Sequence, residues 1–204
     1  IFTELELSEK YDVSRITVRK AVTLLVDEGI LVKQHGIGTF VAKQKINRHV
    51  NIIMGFTQSC ESEGKKASAT LLAADTIEAE IRDCEILGLN EGDRIIRIKR
   101  VRYCDGLPVC IEEEHFSLAY SFILAEDLTR SLTTILEEHG IYMEGGSKTI
   151  DICYSNEEER EILGLEEGQA LILQKEIVFS QNRVPLFTGK QVLDASRYHL
   201  IMQW

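Results

Sequence analysis

Residues 13–19, Val-Ser-Arg-Ile-Thr-Val-Arg, constrain this chain more than any other stretch. A short amphipathic segment, Glu4 to Lys10, precedes them, and a longer one runs on to Glu28. Ser14 is placed to cap the second segment by accepting a backbone N–H bond. Val18, Ala21, Val22 and Leu25 recur at helical spacing and form its expected buried stripe. Arg15 and Arg19 lie four apart on a different face near the helix start, with Ile16, Thr17 and Lys20 beside them. Gly29 stops the helix. Residues 30–33 and 39–42 read as two strands, and the turn between them, Gln34-His35-Gly36-Ile37-Gly38, has two glycines suited to a tight reversal. The pattern predicts a winged helix-turn-helix, a module that lays its second helix in a DNA major groove. Arginines on a helix face are often no more than solvated residues; cap, turn and wing in order favour DNA contact. The expected DNA-binding residues are Ser14, Arg15, Thr17, Arg19, Lys20, Lys33, His35 and Gly36. His35, at the loop tip, either meets phosphate or the minor groove or is simply exposed.

The net charge of −10 argues against a nucleic-acid partner until it is divided along the chain. Residues 1–48 hold eight Lys/Arg against six Asp/Glu, a net of +2, and the remainder carries −12. An acidic body repels DNA and leaves contact to the N-terminal module. Hydrophobic residues make up 44% of the chain, enough for a packed core. No apolar run reaches the ~18 residues of a membrane span, and no stretch reads as a signal peptide. The chain opens on Ile1 directly at a motif, so further natural residues are expected ahead of it. The five cysteines (Cys60, Cys84, Cys104, Cys110 and Cys153) show no metal-ligand spacing and read as scattered reduced thiols of a cytoplasmic protein. No metal or other cofactor is expected.

Residues 44–52 are polar and read as a linker between a DNA-binding domain, 1–43, and a second domain, 53–204. The second domain contains a repeat. Glu85-Ile86-Leu87-Gly88-Leu89-Asn90-Glu91-Gly92 returns 76 residues later as Glu161-Ile162-Leu163-Gly164-Leu165-Glu166-Glu167-Gly168. Each copy ends a helix at glycine, enters a long apolar-rich strand, turns at Asp105-Gly106 or Gln181-Asn182, and starts another strand near Pro108 or Pro185. Two helix-hairpin units predict one pseudo-symmetric α+β domain on a shared antiparallel sheet. Strand side chains alternate, so Ile96, Ile98, Arg100 and Arg102 share a face, where the second copy has Ile172, Gln174, Glu176 and Val178. Two guanidiniums side by side fit a bound anion. They fit equally well pairing with acids of this domain, such as Glu112, or plain solvation.

Residues 1–42 resemble the GntR family of bacterial transcription regulators. The likeness runs through Glu4, Glu6-Leu7, Val13-Ser14-Arg15, Thr17-Val18-Arg19, Glu28-Gly29 and Gly36-x-Gly38-Thr39-Phe40-Val41. Leu5 and Phe2 stand where the family often has an arginine that contacts DNA and a proline, so one such contact is expected to be absent. The family module usually carries a further helix upstream. Residues 53–202 are similar to the UTRA effector domain of the HutC-type subfamily, through Gly55-Phe56-Thr57, Arg97-x-x-Arg100-x-Arg102, Asp105-Gly106-x-Pro108, Glu112, Ser131-Leu132, Gly164-x-x-x-Gly168 and Arg197-Tyr198. That resemblance implies a chorismate-lyase-like α+β fold. It also implies an effector site at Phe56, Thr57, Arg100, Arg102, Glu112, Ser131 and Thr133, with the arginine pair on a phosphate and Glu112 on a sugar. Two positions depart from the amino-sugar binders: Phe187-Thr188 replaces a carboxylate, and Thr133 replaces an aromatic.

The expected protein is therefore not an enzyme. It is an effector-responsive repressor of a metabolic operon, a homodimer on a palindromic double-stranded operator, with a small anionic effector and no membrane association. A lyase-like activity on the same fold is the alternative, but His115, His139 and His199 have no nucleophile partner at motif spacing.

Overall fold

The computed structural model describes residues 1–42, 45–49 and 54–202. The chain divides into two units, Ile1–Gln44 and Lys45–Trp204.

The first unit opens with helix α1, Glu4–Tyr11, set by a capping box. Thr3 Oγ1 accepts from the Glu6 amide at 3.3 Å, and Glu6 Oε2 accepts from the Thr3 amide at 2.7 Å. Asp12 ends the helix in the left-handed conformation (φ 51°). Helix α2, Arg15–Asp27, starts at Ser14, whose hydroxyl accepts from the Thr17 amide at 3.1 Å. Strands β1, Leu31–Gln34, and β2, Gly38–Val41, form an antiparallel wing with Gln34 opposite Gly38. Val18, Val22 and Leu31 are the core, flanked by Leu7, Leu25 and Val26. Ala21, expected in the buried stripe, is exposed. The partners of α2 gather on the line through 18, 22, 25 and 26, one step round the helix from position 21.

The second unit begins inside the expected linker. Residues Ile46–His49 form strand β3, which pairs in parallel with the last described strand, β10, Tyr198–Ile201. The linker reading of these positions is therefore corrected. Ile46 and Arg48 alternate inward with exposed Asn47 between them, and the Ile46 amide donates to the Arg197 carbonyl at 2.6 Å. Ile46, Asn47, Arg48 and His49 are held as a strand because every second one has a buried place. Residues 44, 50–52, also expected as linker, lie outside the described residues, as do 53, 203 and 204 of the expected second domain.

Six antiparallel strands form the main sheet in the order β4-β5-β6-β9-β8-β7. They span Ala67–Glu78 (β4), Arg94–Cys104 (β5), Leu107–Ser117 (β6), Met143–Tyr154 (β7), Ala170–Ser180 (β8) and Pro185–Asp194 (β9). The order is symmetric about the β6–β9 contact, as two fused copies of one unit require. Helices repeat with the strands: α3, Phe56–Glu61, matches α5, Leu132–Glu138, and α4, Ile81–Leu87, matches α6, Glu157–Leu163. Both α4 and α6 end on a left-handed glycine, Gly88 (φ 68°) and Gly164 (φ 64°). Pro185 follows Pro108 by 77 residues rather than 76, so the second hairpin holds one extra residue. Beyond that turn, Glu112 corresponds to Gly189 and Glu114 to Gln191.

Both faces of the sheet are covered. On one, α5 and a 3-10 segment, Leu118–Ala125, pack on Ile96, Ile98, Phe116 and Phe187. There too, α3 packs with Cys104, Cys110 and Leu193. On the other, α6 seats Leu163 against Ile111, Leu171 and Val192. Helix α4 is fastened to that second face by a polar chain. The Thr188 hydroxyl donates to Asp83 Oδ1 at 2.6 Å, and His115 lies between Asp83 Oδ2 (2.8 Å) and Glu113 Oε1 (3.1 Å).

Candidate functional site

In the first unit, Ser14, Arg15, Thr17, Arg19, Lys20, Lys33, His35 and Gly36 are all exposed. Arg15 and Arg19 lie one turn apart on the first turns of α2, both exposed. Arg19 is not free: Nε donates to Glu4 Oε2 at 3.0 Å and Nη2 to the same oxygen at 2.9 Å. That bond, and then the Arg19 charge, hold the Glu4 carboxyl below its ordinary range, with Lys33 and Arg15 adding to it. Glu4 thus sets the direction of the Arg19 side chain. Ser14 and Thr17 spend their hydroxyls on each other at 2.9 Å and on the helix cap.

The second unit holds a cavity of about 420 Å³ over the face of the sheet that carries α3 and α5. Phe56, Thr57, Arg100, Arg102, Glu112, Ser131 and Thr133 all line it. Its floor contains a polar row running straight across four strands, because Arg100 is opposite Glu112, Glu112 opposite Gln191, and Gln191 opposite Gln174. The next row sets Glu114 opposite Gly189 and Gly189 opposite Glu176. A Cβ at Gly189 would lie 2.9 Å from Glu176 Cγ, so this glycine gives the Glu176 side chain its room.

The arginine pair is partly committed to the protein. Arg100 Nη1 donates to the carbonyls of Leu128 (3.1 Å) and Arg130 (3.0 Å), and its Nη2 is paired with Glu112. Arg102 donates from Nη2 to Thr57 Oγ1 at 2.8 Å and from Nη1 to Glu112 at 3.4 Å, with its guanidinium 4.6 Å from the Phe56 ring centre. Both sequence readings of the pair meet here. Glu112 is the shared partner, yet Nε of each arginine is buried with no hydrogen-bond partner among the described residues. Ser131 caps α5 by accepting from the Thr134 amide at 3.3 Å, which leaves its own proton to donate. The starts of α3 and α5 meet closely, since a Cβ on Gly55 would lie 2.6 Å from Thr133 Oγ1. Phe187 faces the cavity, whereas Thr188, its neighbour, serves Asp83 on the opposite face.

Several lining residues were not singled out in the sequence: Arg48, Glu114, Lys148 and Gln191. Glu114 was available from alternation, two residues beyond Glu112. Its pKa is raised well above the usual carboxylate range, first by burial and then by the Glu112 charge. Arg48 was masked by its polar surroundings. Lys148 pairs with Glu176 at 3.1 Å.

Residues 2–41 match the gntR family of bacterial regulatory proteins, and residues 62–199 match the UTRA domain. The chain belongs to the GntR family, in its UTRA-bearing branch. This GntR regulator is 32% identical over 200 residues to the HTH-type transcriptional regulator YurK of Bacillus subtilis, covering 96% of this chain and 82% of YurK. It is 29% identical over 205 residues to the HTH-type transcriptional repressor NagR of the same organism, covering 98% and 83%. Among solved structures, PhnF from Mycobacterium smegmatis superposes with a TM-score of 0.76 at 23% identity, covering 100% of this chain and 91% of PhnF, which shows a common fold. The GntR–UTRA regulator is thus a DNA-binding transcription regulator by family, α+β in its second domain with an antiparallel sheet. No helix among its described residues is long and apolar enough to cross a membrane.

The histidines of this regulator stand apart from the cavity. His115 belongs to the α4 fastening on the opposite face, and His139 stacks on Phe122 with ring centres 4.1 Å apart. All five cysteines are free thiols, and no group of three or more potential metal ligands occurs among the described residues. Burial, with the neighbouring Cys104 adding to it, pushes the Cys60 thiol up to about 12.

Proposed function

We propose that this regulator is a repressor of a metabolic operon that binds a palindromic operator as a homodimer and responds to a small anionic effector, a phosphorylated sugar being the leading class. Helix α2 enters the major groove with Arg15, Arg19, Thr17 and Lys20, and the wing brings Lys33, His35 and Gly36 to the backbone or minor groove. The effector occupies the cavity of the second unit. The observation that carries this reading is Arg102. It lines the cavity and is held in place by Thr57, Phe56 and Glu112. A pre-oriented guanidinium on a cavity wall suits an incoming oxyanion. Repression is supported by the relative named a transcriptional repressor. Ligand changes operator affinity only through its different affinity for DNA-competent and DNA-incompetent arrangements.

The test pairs gel-shift on the promoter next to the gene with calorimetry on sugar phosphates and small acids. Arg102→Ala should weaken the effector by roughly 10- to 150-fold, the loss of one charge-assisted bond, and leave ligand-free operator binding near normal. A folded Arg102→Ala protein with wild-type effector affinity and response would remove the anion site from this cavity.

A further inference from the structure

Strand β7 ends the main sheet on one side, and no strand pairs with its outer edge among the described residues. An open edge carries free N–H and C=O groups and invites another strand unless charge, proline or a bulge blunts it. The opposite edge is blunted. Strand β4 is broken near its middle, between Leu71 and Ala73, and Asp75 and Glu78 put carboxylates on its later half. Strand β7 has its irregular step at the beginning, between Met143 and Gly146, and then runs regularly to Tyr154. Residues 149–154 contain one charge, Asp151, and neither proline nor glycine, within the acidic part of the chain. Ile150, Ile152 and Tyr154 alternate onto one face there, with Ile152 77% and Tyr154 72% exposed. Ile152 lies beside Ile172 and Tyr154 beside Ala170 on β8, so the apolar stripe reaches the rim of the sheet and stops at water.

We propose that the outer edge of β7, residues 149–154, is an interface between two copies of this chain, pairing antiparallel with the same segment of the second copy so that two six-stranded sheets become one. This rests on the homodimer of the proposed function and names the surface that makes it. A two-fold contact needs a patch that complements itself, and this one does. A two-fold axis normal to the sheet keeps every side chain on its own face. Centred on Ile152, the pairing sets Ile152 against its own copy and Ile150 against Tyr154 in both directions. That is an unbroken ladder of aliphatic and aromatic pairs, the kind that stabilises neighbouring strands. Asp151 then faces Cys153, so no charge directly opposes its like. Centring the pair on Asp151 instead would set two carboxylates face to face, which is destabilising. A partner of another sequence would gain nothing from this symmetry. Gly146 and Lys148, earlier on the same strand, line the cavity, so one strand is both a wall of the effector site and the subunit contact.

The experiment is sedimentation of the full chain over a concentration series, which gives the dimer dissociation constant. Wild type should be a dimer. Ile152→Asp, which sets two carboxylates on the axis, should raise that constant about 100-fold or more. Tyr154→Ser adds no charge and should raise it about 10-fold. Both side chains stand in water in the single copy, so both variants should keep the wild-type circular dichroism. Should Ile152→Asp lose that spectrum, Tyr154→Ser decides. Leu72→Asp, on the opposite edge, should dimerise as wild type does. A wild-type monomer overturns the homodimer and this inference together. A wild-type dimer that Tyr154→Ser and a folded Ile152→Asp leave intact overturns this inference alone. A dimer lost in Leu72→Asp instead would move the contact to β4 and overturn it as well.

Discussion

His115 sits between two carboxylates on the face of the sheet away from the cavity. Burial would depress its pKa, but the hydrogen bonds it donates to Asp83 and Glu113, and then their charges, outweigh burial and hold it up at about 9. A histidine whose folded pKa exceeds its unfolded value of about 6.5 binds its proton more tightly when folded. Its stabilisation is complete below pH 6.5 and is lost as pH rises through 9. At one pKa unit per ~1.4 kcal/mol the contribution is on the order of 3 kcal/mol. Chemical denaturation from pH 6 to pH 10 should show wild-type stability falling across that window. His115→Gln should be less stable at pH 6 and nearly flat from 6 to 9; a wild-type slope retained in the variant would assign the titration elsewhere. The sequence shows His115 and Asp83 but not their meeting, because they are 32 positions apart on a strand and a helix.

At the scale of elements, the repeat explains what the cavity needs from each half. The two copies supply the same strands and helices, and the polar side chains break the symmetry. Arg100 and Arg102 correspond to Glu176 and Val178, and Glu112 and Glu114 to Gly189 and Gln191. The repeated architecture itself therefore does not require the arginine pair. Glycines mark where the backbone limits change. Gly146 lines the cavity at an irregular step of β7, and a Cβ there would sit 2.6 Å from the Ile177 carbonyl oxygen. Gly146→Ala should push β7 off β8 and cost about 1–3 kcal/mol in a thermal melt, as overpacking does. An unchanged midpoint would mean that β7 yields freely. Gly36 has no atom within 4 Å of an added Cβ, but its φ is +74°. Gly36→Val should thus strain only the wing turn and weaken operator binding while leaving the second unit's melting unchanged. An unaltered footprint at unaltered affinity would make the wing idle. The octapeptide repeat and its two hairpins were legible in the sequence because glycine caps and turn residues are local signals. The α3–α5 pair was not, since six- and seven-residue helices carry too little periodicity to stand out.

For the whole molecule, charge is divided by task. Residues 1–48 are net positive and the remainder carries the excess acid, so DNA attraction is confined to one end. In a homodimer on a palindrome, half-sites lie roughly one helical turn, about 10 bp, apart. Arg19→Ala should lower operator affinity about 10- to 100-fold at fixed salt if that side chain leaves Glu4 to read a base. Wild-type affinity in the variant would remove Arg19 from the interface. Sedimentation of the protein alone and with operator should give two copies per site, and a single copy per palindrome would sink the homodimer.

The sequence by itself determined the winged helix-turn-helix, the repeat and the antiparallel α+β class, which are written in caps, turns, glycines and strand alternation that act over a few residues. The seven residues that line one cavity came from the family resemblance, not from local pattern. Only the tertiary structure decided that residues 46–49 are a strand, that Ala21 faces out, and that Arg48 and Glu114 face the cavity. It alone decided that Arg100 is tied to the Leu128 and Arg130 carbonyls while Arg102 is held by Thr57 and Glu112. Each depends on a partner far along the chain, and local pattern is silent about which distant residue arrives to satisfy a buried charge.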